Sequence, residues 1–139
     1  MNKNEKVTTM PDLFLSPSTQ KANLYVTGGS EQYWMNRLAD EMEPYLRASG
    51  INVTRNDPNG SAVTSIRQSI RGNHDFHLSL HSNASPEALA GRIRGSIAFY
   101  YPTSISGLRM AEIIIDNLKE IYPLPELARA EATTAIGEL

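Results

Sequence analysis

Glu31, His81 and Gln20 are the residues whose types could do chemistry together. A carboxylate and an imidazole at one place suit a hard or borderline divalent cation, and zinc accepts Glu oxygen and His nitrogen readily. A glutamine adds a neutral amide oxygen, a weaker ligand than imidazole. Each residue also has an ordinary role. A glutamate in the first turn of a helix complements the macrodipole, a histidine at a strand end hydrogen-bonds a loop carbonyl, and a glutamine in a polar loop stabilises a turn. Only convergence makes them a site, and convergence depends on the elements that carry them.

The other candidates are weaker. His77 shares one side of its strand with His81, but four strand residues separate them by about 13 Å, too far for one ion. His74 falls in the loop before that strand. Tyr100 and Tyr101 read as sheet packing, and Arg92 and Arg94 as a solvated loop. Gly28-Gly29 ahead of a helix lacks the lysine and the longer glycine pattern of a nucleotide loop.

Alternation and turn residues place a first short strand over residues 12–15, closed by Ser16-Pro17-Ser18. Ser30 is suited to cap a helix that opens at Glu31 and ends at Gly50, with Trp34, Leu38, Met42 and Tyr45/Leu46 as its apolar stripe. Pro44 lies within it, which predicts a kink or an early end. A second strand over 51–55 stops at the turn-rich run 56–60. Val63, Ile66 and Ile70 mark a second helix, with Ser61 as its cap and Gly72 just past its end. In the third strand, 76–81, Phe76, Leu78 and Leu80 point one way and His77, Ser79 and His81 the other. A fourth strand over 95–101 precedes a helix traced by Leu108, Ala111, Ile115 and Leu118. The tail from Pro123 is expected to hold at most one short helix.

Strands alternating with helices predict an α/β domain, a mostly parallel sheet with helices on both faces. The domain is expected over 12–139, behind a polar leader over 1–11. In such a sheet, functional groups gather at the carboxyl ends of the strands. Gln20, Glu31 and His81 all fall there.

Composition narrows the partners. The 139 residues hold 13 Lys+Arg against 15 Asp+Glu, a net charge of -2, which gives no electrostatic reason to expect nucleic acid. No cysteine is present, so any metal must use histidine, carboxylate or amide oxygen. No window approaches the ~20 apolar residues of a membrane span, and residues 1–10 lack the apolar core of a secretory signal.

Leu13-Phe-Leu-Ser-Pro-Ser-Thr-Gln20, Gly29-Ser30-Glu31, Thr54-Arg55, Leu78-Ser-Leu-His-Ser-Asn-Ala84 and the run 91–101 together resemble the zinc-dependent N-acetylmuramoyl-L-alanine amidases of the amidase-3 family. These are peptidoglycan hydrolases of bacterial autolysins, sporulation enzymes and phage endolysins. The resemblance implies cleavage of the amide between N-acetylmuramic acid and L-alanine by zinc-activated water. It implies Glu31 as the carboxylate ligand, His81 as a histidine ligand and Asn83 as a loop residue that shapes the substrate site. Where the family has its first histidine this chain has Ser16-Pro17-Ser18-Thr19-Gln20, a divergent form that leaves Gln20 as the substitute ligand. The family's catalytic glutamate, on a last strand of the type Val-Leu-Val-Glu, has no counterpart before Glu138-Leu139, so the resemblance also implies a domain lacking its last strand. Action on the bacterial cell wall follows, by phage-lysin-like release or as a domain of a larger secreted protein. The alternative is a non-catalytic peptidoglycan-binding module with a degenerate amidase fold.

Overall fold

The structure is a computed structural model that describes residues 9–83 and 85–137. The chain divides into two units, Met1–Ala84 and Ser85–Leu139. The architecture is α/β with small parallel sheets.

In the first unit β1 (Asp12–Pro17), α1 (Glu31–Ala48), β2 (Asn52–Arg55), α2 (Ala62–Gly72) and β3 (Phe76–Leu80) follow one another. The strands form a parallel sheet in the order β2-β1-β3, with β1 in the middle. A central strand is shielded on both faces, and β1 accordingly buries every residue from Leu13 to Pro17. Leu13, Leu15, Val53 and Ala39 of α1 make the core, joined by Leu46, Ile51, Phe76, Leu78 and Leu80. The expected alternation of β3 is borne out on this face. On the other face, Phe14 is 1% exposed and its ring meets those of His74 and His77, each at 5.1 Å between centroids. His74 in turn bonds through Nδ1 to the Ser69 carbonyl of α2 at 3.1 Å.

Ser30 and Ser61 cap α1 and α2 as their types predict, and Ser61 forms a capping box with Thr64. Four helical details depart from expectation. Pro44 does not end α1 early. It lies on an exposed side, where water can take the bond its ring cannot make. The buried line of α1 runs through Glu31 and Ala39 with Leu46 beside it, whereas Trp34, Leu38 and Tyr45 are exposed. The large apolar residues therefore flank the contact line, and the small Ala39 lets α1 approach the sheet. In α2 it is Ser65 that is buried, while Val63 and Ile70 are exposed. Gly72 is the last residue of α2, and Asn73 adopts the left-handed conformation that ends it.

In the second unit, β4 (Ile97–Tyr100) leads to α3 (Ile105–Ile121), whose buried Ala111 and Ile115 fit the predicted stripe. After the short 3₁₀ turn Pro125–Leu127 comes β5 (Arg129–Ala132), which pairs with β4 in parallel. The tail thus holds one short helical turn, as expected, but also a strand, β5, where no strand-like segment was expected after Ile121. β5 takes its place from the backbone ladder and from Ala128, buried just before it, rather than from an apolar run of its own. Glu138 lies outside the described residues, as do most of the polar leader and Ala84. Among the described residues no helix is long and apolar enough to cross a membrane.

Candidate functional site

The carboxyl ends of β1 and β3 and the start of α1 meet at one edge of the first unit. β1 and β3 run side by side to Pro17 and Leu80, and the Ser18 amide extends the ladder by donating to the Leu80 carbonyl at 2.9 Å. Ser16 and Ser18 are 1% and 2% exposed, so the Ser-Pro-Ser run is a built part of this edge. Ser18 Oγ accepts from the Gln20 amide at 3.1 Å, turning the chain outward.

Glu31 sits at this edge, 1% exposed although it opens a helix. Its carboxylate gathers donors from four residues, Ser18 among them. Oε1 accepts from His81 Nδ1 at 2.9 Å and from the Ser82 amide at 3.2 Å, and Oε2 accepts from Asn23 Nδ2 at 2.6 Å. Burial alone would push the carboxyl up; the hydrogen bonds from Asn23, the Ser82 amide, His81 and Ser18 outweigh it and hold Glu31 below the ordinary carboxylate value. The site therefore keeps a buried anion with an imidazole against it.

A hairpin-like loop supports the pair. Leu24 and Ser30 form an antiparallel bridge, the Tyr25 amide donates to the Gly29 carbonyl at 3.0 Å, and the Asn23 carbonyl accepts from the Glu31 amide at 2.8 Å. Gly28 and Gly29 turn the loop at φ of 96° and 81°. Gly29 has a second reason to be glycine, since a Cβ there would lie 2.6 Å from Trp34 Nε1. Trp34 Nε1 donates to the Gly28 carbonyl at 3.0 Å, and at the other side of the loop the Tyr25 hydroxyl bonds Ser82 Oγ.

The structure thus brings Glu31 and His81 together across 50 residues. Gln20 lies beside them in the backbone, its carbonyl accepting from the Gln32 amide at 3.2 Å, but its side chain is exposed. Asn83 is exposed two residues beyond His81. His74 and His77 pack on Phe14, and His77 Nε2 lies 3.1 Å from Ser79 Oγ. Arg55 ends β2 by binding Asp40, Glu43 and Asn36 of α1, at 2.9, 3.3 and 3.2 Å. Asn23, Tyr25, Ser18 and Ser82 are parts of the site that sequence reasoning missed. Gly28-Gly29 just after Leu24-Tyr25-Val26 is a hairpin pattern that could have pointed to the first two.

As a cation site the donors fit in part. Two ligands on one tetrahedral zinc, each about 2.0–2.1 Å from it, stand about 3.3 Å apart. Glu31 Oε1 and His81 Nδ1, at 2.9 Å, need little adjustment to share an ion. Among the described residues no group of three or more His, Cys, Asp or Glu that could hold a metal ion occurs, and Gln20, whose side chain is exposed, is the third ligand that the resemblance offers. Such a set suits a divalent ion held less tightly than by three charged or imidazole ligands. Comparison with family models, with curated proteins and with solved structures gave no match.

Proposed function

We propose that this chain is an N-acetylmuramoyl-L-alanine amidase-type peptidoglycan hydrolase, with Glu31 and His81 as two ligands of a zinc ion and Gln20 as a weak third. One observation supports this most. The two residues that the resemblance names as ligands meet at 2.9 Å on the carboxyl edge of a parallel sheet, and one of them is a buried, ionised carboxylate. When bound, zinc supplies a Lewis acid for the scissile carbonyl and acidifies a water.

The chain's own groups prepare for that. Asn23, Ser18 and the Ser82 amide hold Glu31 as an anion and fix its orientation. His81 faces Glu31 through Nδ1, so taking up an ion there displaces the proton that the imidazole shares with Oε1. Asn83, exposed beyond His81, is positioned to meet substrate rather than metal. The substrate is the polymeric wall, and the site of action is the cell wall.

The test is elemental analysis of the full purified chain beside Glu31→Ala and His81→Ala, with release of amino termini from peptidoglycan measured in parallel. Near-stoichiometric zinc that both variants lose is the expected result. A folded chain without metal and without release of L-alanine termini overturns the enzyme reading. The run Ser16-Pro17-Ser18-Thr19-Gln20, in place of the family's first histidine, motivates a second reading, a peptidoglycan-binding module without catalysis. Saturable binding to cell walls that survives a chelator, with no hydrolysis, selects it.

A further inference from the structure

We propose that Asn23 is a specificity-determining positioning residue that makes Glu31 offer one carboxylate oxygen to a cation, and so selects a small, imidazole-accepting divalent ion over calcium-like ions. The inference rests on the metal reading of the Glu31–His81 pair. It deepens that reading by naming what sets the choice of ion.

The two carboxylate oxygens of Glu31 have different surroundings. Oε2 is engaged by Asn23 Nδ2 at 2.6 Å, whereas Oε1 is turned to His81 Nδ1 at 2.9 Å and the Ser82 amide at 3.2 Å. The same Asn23 amide also donates to the Ser82 carbonyl at 3.3 Å, so it ties the start of α1 to the loop after β3. Because Glu31 is 1% exposed, water does not replace these partners. Turning both oxygens toward one ion would break the short, charge-assisted bond to Asn23 and leave its amide only the longer 3.3 Å bond to the Ser82 carbonyl, a cost of the kind that buried polar groups avoid.

That cost falls unequally on different ions. Calcium takes six to eight oxygen ligands and makes frequent use of bidentate carboxylates. Zinc and cobalt of zinc type take few ligands and accept imidazole nitrogen beside one carboxylate oxygen. Asn23 therefore penalises the first class and, by fixing the orientation of Glu31, supports the second. Removing its side chain should not unseat the loop, because the Asn23 carbonyl still accepts from the Glu31 amide and the Leu24 to Ser30 bridge remains.

The experiment titrates the full chain separately with Co2+ and with Ca2+ by calorimetry, following the cobalt absorption bands as well. Asn23→Ala and Asn23→Leu both delete the donor, and Leu keeps the volume in case Ala collapses the loop; Asn23→Ser returns a hydroxyl donor. Cobalt affinity is expected to fall by about tenfold or more on loss of such an outer partner. Calcium affinity is expected to hold or rise, so the ratio shifts by at least that factor, and Ser recovers part of it. Parallel weakening of both ions, or an unchanged ratio, overturns the role of Asn23 while leaving the metal reading intact. A folded native chain that binds neither ion removes both.

Discussion

Replacing Glu31 by glutamine keeps the shape of the side chain and removes its charge and one acceptor. Asn23 Nδ2, the Ser82 amide and His81 Nδ1 are among the donors that converge on its two oxygens. If the retained oxygen stays toward Ser82 and His81, the new amide nitrogen faces Asn23 Nδ2 at 2.6 Å, donor against donor. Asn23 can turn its own amide over, but then loses its bond to the Ser82 carbonyl. A hydrogen bond to a charged group contributes about 1.5–3 kcal/mol and a neutral one about 0.5–1.5 kcal/mol. Downgrading three bonds by about 1 kcal/mol each and losing a neutral one costs about 4 kcal/mol, and no longer burying an anion returns about 2 kcal/mol, so the net loss is about 2 kcal/mol at pH 7. For a chain of this size that lowers Tm by about 4–8 °C. The pH dependence has a definite sign. Glu31 is held below the ordinary carboxylate value of 4.5, so its contribution is fully present above that value and is lost as pH falls through the lower folded value. The gap between native and Glu31→Gln should therefore be constant from pH 7 to about 5 and narrow below about 4.5. Urea unfolding followed by circular dichroism at pH 7, 5 and 3 measures it. A variant as stable as the native chain at pH 7, or a gap that widens on acidification, would refute this account of the carboxylate.

Other perturbations read other parts of the fold. Phe14→Ala should cost about 3–5 kcal/mol, because a side chain 1% exposed leaves a cavity between His74 and His77; the denaturation midpoint reports it, and a loss under 1 kcal/mol would mean that this face is not packed. Gly29→Ala should cost about 1–3 kcal/mol, given its φ of 81° and the clash with Trp34. Trp34 is the only tryptophan, so its fluorescence should shift with the loop, and an unchanged spectrum would contradict the packing. Glu43 is held below its ordinary value by Arg47 first, against an opposing push from burial, and by Arg55. Its contribution is thus present above the unfolded value and lost as pH falls, and a double-mutant cycle of Arg55→Met with Glu43→Gln at pH 7 should give a coupling of about 0.5–2 kcal/mol that shrinks at pH 3.

Sequence pattern located the three strands and two helices of the first unit because each carries local information: an alternating face on 76–80, serine caps at 30 and 61, and a turn-dense run between 56 and 60. The meeting of Glu31 and His81 was also legible, since parallel strands put their carboxyl ends at one edge. What failed was the face of each of these two helices, whereas the stripe of α3 was read correctly. Apolar periodicity favours large residues, but Ala39 and Ser65 make the close contacts and Trp34, Leu38 and Tyr45 lie outside them. β5 was invisible for a related reason: Arg-Ala-Glu-Ala has neither β-branched residues nor apolar alternation, and only its pairing with β4 makes it a strand. Asn23 and Ser82 were missed because they act through single hydrogen bonds to Glu31, and no periodicity encodes these.

The central place of β1 has a consequence for the order of assembly. The first strand made is flanked by partners that come about 40 and about 60 positions later, at Asn52–Arg55 and Phe76–Leu80. During synthesis β1 must wait with both edges open, and the loop-closure entropy of two long connections is met before either ladder forms. Glu31 meets His81 only after β3 has docked on β1. On the proposed metal reading, cation capture would be a late event that reports a finished sheet, and a metal-sensitive spectroscopic probe at this edge would serve as a clock for the last step of folding in the first unit.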